Sequence, residues 1–405
     1  MSDLLAPEVA ERSRIALRKI YFYLGLGVMA WAPRFPELQD QLNLSASRFG
    51  FLLSFSSAGS IVAFGLMGHL VHRWGAKPVL YLFGLFTYAA MVIVTLSSSP
   101  LLFQLTLILF SASVVGYNVA LNAQSILIQN SLNRSVLGQF HGTWSAGAFL
   151  TSGLSGIVAP LISLQLHMFV LAAVLLPLST YETTKLVERK SLTVPKLAES
   201  AKESIPPIWK APKLQWILSI GMTSGVLVEF IGADWITIYT HEHLNVPTGP
   251  DAIPITVFMF AIIIGRLNTD RLARAIGMDN LVRISGYVGF IGGIIAIAGS
   301  HFLREIGVWQ ALLVAAFGYF LAGLGTACMT PAFFSAGSWI AQTPAAVTLS
   351  RMAMMNHVFV WNLKLLIAGL AGAFGMQIAL LIPAVTMLLT VYLAKFVKPP
   401  AGITA

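Results

Sequence analysis

Residues 68–80 read GHLVHRWGAKPVL, and residues 270–282 read DRLARAIGMDNLV. Each stretch is a short basic loop that follows the second long apolar run in its part of the chain. Identity between them is low, with Leu70 matching Leu272 and Gly75 matching Gly277, so the comparison depends on position. Two loops of one kind at corresponding places predict that the chain is built from two repeated halves.

The composition is that of a membrane protein. Of the 405 residues, 57% are hydrophobic and 10% are charged, whereas about a quarter of the residues in a soluble globular protein are charged. Apolar runs of about 20 residues, long enough to cross a bilayer as a helix, recur along the chain. The lone Cys328 excludes an intramolecular disulfide framework and a cysteine metal cluster. We therefore expect an all-α membrane protein that uses no cofactor and no metal.

The apolar runs predict about twelve transmembrane helices, six in each half. Their starts are expected near Ile15, Ser47, Pro78, Leu101, Leu137, Pro160, Leu214, Asp251, Asn280, Gly307, Ala346 and Gly372. The longest polar stretch divides them. We expect an N-terminal six-helix half at residues 1–180, a cytoplasmic central loop at 181–213 and a C-terminal six-helix half at 214–405.

The placement of Lys and Arg predicts the orientation. One set of loops holds most of the basic residues, while the other holds little beyond Arg34, Arg48 and Arg304. Because basic loops stay in the cytoplasm, both termini are expected there, with the chain in the cytoplasmic (inner) membrane. This placement also explains the net charge of +9, so nucleic acid is not an expected partner. The N-terminal stretch lacks a small-residue cleavage site and is interpreted as a cytoplasmic tail.

Several motifs carry a family resemblance. The loop Gly68-x-Leu70-x-His72-Arg73-x-Gly75-x-Lys77 resembles the cytoplasmic loop signature of the major facilitator superfamily. Further stretches resemble a bacterial branch related to fucose permease: WAPRFPELQDQL, NVALNAQ, FHGTWSAGA, ADW, GRLNTDRLARAIG and GLGTACMTPAFFSAG. The resemblance covers nearly the whole chain. It implies two six-helix halves, with a gating role for the loop residues Gly68, His72, Arg73, Gly75, Lys77, Asp270 and Arg271.

Two positions depart from the family pattern. His72 stands where the loop signature usually has Asp, which weakens the acid gate or makes it titratable near neutral pH. Asn118 stands where the branch often has Asp at the start of its fourth-span motif. Since Asn cannot ionise, a proton-carrying role is not expected at that position.

The seventh predicted span carries two acids, Glu229 and Asp234. A charge at mid-bilayer costs about 2.5–3.5 kcal/mol on insertion scales, so such residues face the bundle interior or a watery cavity. Five residues separate them, which on a straight helix means about 140° of rotation and about 7.5 Å of rise. Glu229 borders a face of small residues that includes Gly221 and Gly225, a spacing typical of close helix packing. Gly232 decides whether the helix bends between the acids.

The eleventh predicted span supplies bases. His357, Trp361 and Lys364 are spaced i, i+4 and i+7 and therefore share one helix face. Depth in the membrane predicts an outer pair of Asp234 with Lys364 and a central titratable pair of Glu229 with His357. Alternatives are a structural hydrogen bond for Glu229 and a Lys364 that snorkels to the outer surface.

The fourth predicted span has a polar stripe of Asn118, Asn122, Ser125 and Gln129. Amides and hydroxyls hydrogen-bond polar solutes without a fixed charge, but they also join helices, and the stripe fits both roles equally. His141 and Trp144 open the fifth span, where Trp144, like Trp361, can stack on a sugar ring.

Other notable residues have plainer interpretations. Trp31 and Trp235 are expected in the outer aromatic belt. His241 and His243 are expected in solvent, and Pro331 is expected to mark a kink in the tenth span.

These features favour a secondary transporter working by alternating access, with a mid-membrane site between two repeated halves. The expected cargo is a small polar organic solute, a sugar by the family resemblance, or an acid sugar, carboxylate or amino acid if Lys364 holds an anionic group. Expected binding residues are Asn118, Asn122, His141, Trp144, Glu229, His357, Trp361 and Lys364, with Glu229 and Asp234 as candidates for proton coupling. An exporter of amphiphilic compounds is the alternative, and a membrane sensor or scaffold a remote one. No enzyme motif is present, and a monomer is expected.

Overall fold

A computed structural model of the chain describes residues 5–134, 136–187, 208–340 and 345–398. Every regular element within these ranges is helical, which confirms the predicted all-α class. Most of the predicted central loop, residues 188–207, lies outside the described residues. Both flanks of that loop, as predicted from the sequence, are already helical at Tyr181–Thr184 and at Lys213.

Eight α-helices precede the central loop in the described part of the chain. They are α1 Pro7–Val28, α2 Phe35–Gln41, α3 Ala46–Phe55, α4 Ser57–Trp74, α5 Ala76–Thr95, α6 Pro100–Leu132, α7 Leu137–Val158 and α8 Leu164–Thr184.

Eight more follow the loop within the described ranges. They are α9 Lys213–Ile238, α10 Ile253–Ile276, α11 Met278–Ile294, α12 Ser300–Leu303, α13 Val308–Thr326, α14 Met329–Ser338, α15 Ala345–Phe374 and α16 Met376–Leu393. Two π-helical turns, Tyr239–His243 and Ile295–Gly299, continue α9 and α11 at their far ends.

Eleven helical segments of the described chain are long and apolar enough to cross a membrane. The predicted fifth span coincides with α7, a 22-residue helix rich in Gly, Ser and Thr that is not among the eleven. The multi-pass membrane class is therefore established, while the count of twelve spans stays a prediction. Most expected starts lie within four residues of a helix start.

The first helix is the exception, because α1 begins at Pro7, eight residues before the expected Ile15. Pro is favoured at the first helical position, where its missing N–H costs nothing. Ala10, Ser13 and Ala16 are buried along one side of these early turns. The stretch interpreted as a tail is thus largely helical and packed.

Contacts divide the chain into two units. The first comprises Met1–Trp31 with Phe55–Ile205, and the second comprises Ala32–Ser54 with Pro206–Ala405. The sequence order places residues 32–54 in the N-terminal half, but their contacts are with the second unit.

Glycines bring α1 and α7 of the first unit into backbone contact. A Cβ at Gly25 would lie 2.1 Å from the carbonyl oxygen of Trp144, and one at Gly147 would lie 2.3 Å from that of Phe22. Only glycine permits so close an approach, and the two glycines act reciprocally across the helix pair. Beside this contact, the Tyr21 and Phe140 rings stack with centroids 5.5 Å apart.

In the second unit α9 packs against α13, α14, α15 and α16. A Cβ at Gly221 would collide with the Phe333 ring, and one at Gly225 with the Met329 side chain. The small-residue face of α9 is therefore a packing surface, as its spacing predicted.

Residues 32–54 fit closely into the second unit. Gly50 lies against the Trp235 indole, where a Cβ would be 2.1 Å from Cζ2. The Ser47 hydroxyl donates to the carbonyl oxygen of Ala368 at 2.7 Å. The amide of Gln39 donates to the Glu242 carboxylate. Hydrogen bonds and close packing thus tie this segment to α9, α15 and the π-helical turn after α9.

Trp235 and Trp31 are 1% and 6% exposed, so the aromatic-belt prediction for both is wrong. The Trp235 ring fills the space above Gly50, and Trp31 packs edge-on against Phe110 at 4.6 Å. The kink prediction for Pro331 is confirmed, because the tenth span breaks between α13 and α14 at residues 327–328. Proline cannot donate to the carbonyl four residues before it, which here belongs to Ala327.

The repeated basic loops are confirmed as conformational equivalents. Gly75 (φ 87°, ψ 160°) is the single residue between α4 and α5, and Gly277 (φ 84°, ψ 147°) is the single residue between α10 and α11. Gly375 (φ 89°, ψ 158°) joins α15 to α16 in the same way. This backbone region is accessible essentially to glycine alone. Gly75 and Gly277, the glycines that match between the two loops, therefore make the turn in each loop.

Replacing Gly75 or Gly277 by Ala is predicted to destabilise the protein by about 1–3 kcal/mol, because alanine is strained at these dihedral angles. Thermal unfolding of the purified protein in detergent measures the change. Gly369→Ala is the matched control, since Gly369 lies inside α15 with nothing within 4 Å of its Cβ position. Equal melting temperatures for all three variants would show that alanine is not strained at positions 75 and 277.

A cysteine pair at positions 47 and 372 is predicted to form a disulfide. A Cβ at Gly372 lies 3.2 Å from that of Ser47, close to the usual disulfide spacing of about 3.8 Å. In a Cys328→Ala background, the pair Ser47→Cys/Gly372→Cys should resist maleimide-polymer labelling until it is reduced. The control pair Arg48→Cys/Gly372→Cys uses the exposed neighbour of Ser47. Full labelling of both pairs before reduction would show that residues 32–54 do not dock on α15.

Candidate functional site

Both acids of α9 lie well inside the helix. Glu229 is residue 17 of its 26 residues, and Asp234 is one turn and a half further on. Gly232 does not interrupt the helix, which is continuous through Ile238. The two carboxylates therefore point in different directions and have separate partners.

Glu229 is paired with Arg266. Nη2 of Arg266 donates to both carboxylate oxygens, at 2.9 Å to Oε1 and 2.8 Å to Oε2. Arg266 is residue 14 of the 24 in α10, so the pair joins the middles of two membrane helices. His357 was the partner predicted from depth, and Arg266 was not predicted. In the structure the Nδ1 atom of His357 lies 2.8 Å from the carbonyl oxygen of Ala353, on its own helix.

Asp234 is paired with Lys364, as predicted. Nζ of Lys364 lies 2.6 Å from Oδ2 of Asp234, an ion pair in which the atoms are not aligned as a hydrogen bond. Lys364 is buried, so the snorkelling alternative is wrong. This pair fixes α15 against α9.

The two ion pairs differ in exposure. The side chains of Arg266 and Glu229 are 32% and 22% exposed, whereas those of Lys364 and Asp234 are 9% and 15% exposed. Charged groups inside a membrane protein avoid lipid and face the interior or an aqueous cavity. The Glu229–Arg266 pair is therefore the more exposed of the two pairs.

The three residues predicted to share one face of α15 differ in burial. His357 and Trp361 are half-buried, while Lys364 is buried. Next to this face, the Thr223 hydroxyl donates to Oδ1 of the buried Asn356 at 3.1 Å, which adds a neutral link between α9 and α15.

The polar stripe of α6 makes mostly internal hydrogen bonds. The Tyr21 hydroxyl donates to Oδ1 of Asn122 at 3.1 Å and lies 3.2 Å from the Ser125 hydroxyl. Gln129 accepts from the backbone N–H of Val136 at 3.2 Å. Asn118 donates to the carbonyl of Val114, one turn back. Asn122 and Ser125 therefore join α6 to α1, which is the helix-joining role.

His141 and Trp144 lie on α7, close to the same Tyr21. His141 is exposed and meets the Tyr21 ring edge-on with centroids 5.7 Å apart. Trp144 is half-buried, and its backbone is held against Gly25. The predicted binding residues of the first unit therefore lie on two helices, α6 and α7, that both have residues close to Tyr21.

The loop residues divide into two groups. Gly75 and Lys77 have structural roles: Nζ of Lys77 donates to the carbonyl oxygens of Thr184 and Leu186, at 2.9 and 3.2 Å, where α8 ends. The other loop residues are exposed: Gly68, His72, Arg73, Asp270 and Arg271.

A histidine cluster at the far end of the second unit was missed. Nε2 of His243 lies 2.9 Å from Nδ1 of His301, and Gln377 and Arg304 also contact the His243 ring. The nearby His241 lies 2.9 Å from Asp251. Neither His241 nor His243 is simply solvated, so that prediction is wrong. Two π-helical turns lie beside this cluster, since His243 ends one and His301 follows the other. Such turns insert a residue into the helical repeat and were not readable from hydropathy.

In the described residues, no group of three or more His, Cys, Asp or Glu side chains is placed to hold a metal ion. The chemistry of the candidate site is therefore that of ion pairs, amides and aromatic rings.

The profile of the Major Facilitator Superfamily matches residues 20–360. The chain belongs to this superfamily. Its relatives are transport proteins, and the protein is accordingly a transporter and not an enzyme.

Curated relatives span nearly the whole chain. An uncharacterised MFS-type transporter of Yersinia pestis is 25% identical over 85% of each chain. An uncharacterised transporter of Sinorhizobium fredii is 23% identical over 92% of this chain and 95% of its own. The membrane protein MosC of Rhizobium meliloti is 23% identical over 89% and 84%.

Solved structures confirm the fold. The nucleoside transporter NupG aligns with a TM-score of 0.70 at 13% identity over 96% of this chain and all of its own. A mutant of NupG aligns with a TM-score of 0.74 at 12% identity over 95% and 99%. These likenesses show the major facilitator fold, while the specific kinship with fucose permease stays a prediction.

Breaking the Asp234–Lys364 pair of this transporter is predicted to destabilise it. Asp234→Asn or Lys364→Gln leaves one largely buried charge without its partner, which costs about 3 kcal/mol, whereas the double variant recovers part of that loss. Thermal unfolding of the four proteins gives the coupling energy, expected at about 1 kcal/mol or more. Strictly additive losses would mean that the two side chains do not interact.

Proposed function

We propose that this protein is a secondary active transporter that moves a small polar organic solute across the cytoplasmic membrane by alternating access, coupled to protons. The solute class is a sugar or a sugar-like or carboxylate compound. The observation that carries the proposal is the partly exposed Glu229–Arg266 pair in the middle of two membrane helices. A pair with only a structural role is better buried, as Asp234–Lys364 is.

Glu229 is our first choice for the coupling residue. Its carboxylate can exist as an anion held by Arg266 or as a neutral acid released from it. A group that changes both charge and partner links proton occupancy to the state of the site. Asp234 is the second choice, since its side chain is less exposed than that of Glu229.

Polar and aromatic side chains of each unit, taken by itself, support the solute class. Asn118, His141 and Trp144 supply an amide, an imidazole and an indole on adjoining helices of the first unit, groups that suit hydroxylated rings. His357 and Trp361 supply similar groups in the second. The fold is shared with a nucleoside transporter, and nucleosides also combine a ring with hydroxyls.

The proposed orientation places both termini in the cytoplasm. One end of the first unit gathers basic residues on α1 and just after α6 and α8: Lys19 and Lys185 pair with Glu182, and Arg134 pairs with Glu11. A basic end is expected on the cytoplasmic side. We propose that the transporter acts there as a monomer.

Uptake into proteoliposomes tests the proposal. A solute library is screened by thermal shift, and hits are assayed with and without an inward proton gradient. One proton moving down one pH unit releases about 1.4 kcal/mol, enough for about tenfold accumulation. Glu229→Gln is predicted to lose this response while still exchanging solute.

The matched control is Glu305→Gln, the same chemical change at a side chain that is 79% exposed. Uptake by Glu229→Gln that follows the gradient fully would remove Glu229 from coupling. Outward movement of amphiphilic compounds alone would favour the exporter.

A further inference from the structure

We propose that a buried cavity in the second unit is a binding site for an ordered water, which links the indole N–H of Trp235 on α9 to the hydroxyl of Tyr319 on α13. The site is separate from the two ion pairs, and it does not rest on the transport proposal. It adds an exchangeable hydrogen-bonded link between helices that otherwise meet through apolar side chains.

Four helices of the second unit enclose the cavity. Residues of α9, α11 with its π-helical turn, α13 and α16 line it. Among these described residues, Trp235 and Tyr319 have polar side chains, and the others are apolar or glycine. All of them are buried. The volume of about 30 Å³ is enough for one or two waters, since one water needs about 10–15 Å³.

The indole N–H of Trp235 has no partner within the described chain. Trp235 is 1% exposed, and its Nε1 atom makes no hydrogen bond with a described residue. Gly50 packs on the ring at Cζ2, Cη2 and Cε2, and it has no side chain that could accept from the N–H. A buried indole N–H usually finds an acceptor. A molecule in the cavity that Trp235 lines would supply one.

The hydroxyl of Tyr319 needs a partner too. Tyr319 is 7% exposed, and its ring meets the Phe258 ring edge-on with centroids 6.3 Å apart. Its hydroxyl has no hydrogen-bond partner among the residues that the structure describes. The buried Tyr239, by contrast, donates to the carbonyl oxygen of Ile297 at 2.9 Å. Because an unpaired buried hydroxyl is costly, the cavity is expected to hold a partner for Tyr319.

A proline on the cavity wall adds an acceptor. Pro383 lies inside α16 and has no N–H to donate to the carbonyl oxygen of Ala379, one turn before it. No side chain of the described residues donates to that carbonyl. Ordered water is one of the groups that satisfy a carbonyl freed by proline in a membrane helix. A water that accepts from Trp235 or Tyr319 can also donate, which a ligand with acceptors alone cannot do.

The lining also selects a neutral molecule. No charged side chain is found among the described residues of the cavity wall. An ion would therefore be buried without a counter-charge, which costs far more than burying a hydrogen-bonded neutral group. Water combines a small size, no charge and both kinds of hydrogen bond.

The sign of a stability change distinguishes a water-filled cavity from a dry one. Tyr319→Phe removes the hydroxyl and keeps the ring. If water binds there, the variant loses a hydrogen bond, and the melting temperature of the purified full chain in detergent is expected to fall by about 2–4 °C. In a dry cavity the variant would remove an unpaired buried hydroxyl, and the melting temperature would stay the same or rise.

Two tyrosines provide matched controls. Tyr239→Phe removes a hydroxyl that contacts the Ile297 carbonyl and the Ser300 hydroxyl, at 2.9 and 3.0 Å, so a fall of similar size is expected. Tyr287→Phe makes the same change at a side chain that is 49% exposed. Its melting temperature is expected to equal that of the unmodified protein.

Filling the cavity gives an independent test. Ala322 lines the cavity, and Ala322→Val occupies room that the water needs, so this variant is also expected to lower the melting temperature. The double variant Tyr319→Phe/Ala322→Val is expected to lose less than the sum of the two single losses. The same water can be displaced only once, so the two changes are coupled.

Radiolytic footprinting tests the water without any variant. Hydroxyl radicals that form from a bound water modify the side chains in contact with it. We expect Tyr319 to be modified several times faster than Tyr88, which is equally a buried tyrosine. Tyr88 is 0% exposed, and its hydroxyl lies 3.1 Å from the Ser179 hydroxyl. This measurement keeps the inference testable if a variant fails to fold.

Three results would overturn the inference. They are a Tyr319→Phe variant that melts at or above the temperature of the unmodified protein, strictly additive losses in Tyr319→Phe and Ala322→Val, and modification of Tyr319 no faster than that of Tyr88. None of these bears on the proposed transport, which fails separately if proteoliposomes take up no solute.

Discussion

Placing a charge within the bilayer costs about 2.5–3.5 kcal/mol on insertion scales, and α9 carries two such charges. Each is answered by a base on a different helix, Arg266 on α10 and Lys364 on α15. These pairs fix the depth and the rotation of three helices relative to one another. The glycine face of α9 packs on Phe333 and Met329. The arrangement of helices around α9 therefore depends on where its two acids find partners.

Most of the fold could be predicted because bilayer crossing imposes a length and a composition on each helix. Eleven of the twelve expected starts lie within four residues of a helix start. Gly75 and Gly277 were found as a match in a weak repeat, and each makes the same sharp turn. What hydropathy could not show was tertiary contact. Residues 32–54 pack with the second unit because Gly50 admits the Trp235 ring, and no periodicity in the sequence predicts such a partner.

The site was predicted in part for the same reason. Helical spacing and depth place Lys364 opposite Asp234, and the pair is confirmed. The same reasoning paired Glu229 with His357, because His357 lies at a similar depth on the helix that carries Lys364. Arg266 carried a readable signal, since it is a charge at residue 14 of a 24-residue apolar helix. The α6 stripe was predicted from its helical spacing. The spacing does not show that the Tyr21 hydroxyl already hydrogen-bonds with Asn122 and Ser125.

The choice of base in each ion pair matches its exposure. A guanidinium keeps its charge in every environment, whereas a desolvated ammonium group loses its proton more readily. A pair that opens during transport needs a base that stays charged when its carboxylate leaves, and the accessible pair has Arg266. A pair that stays closed places no such demand on its base, and the buried pair has Lys364. The residue types thus divide the two pairs in the same way as their accessibility, with one suited to exchanging partners and the other to holding helices together.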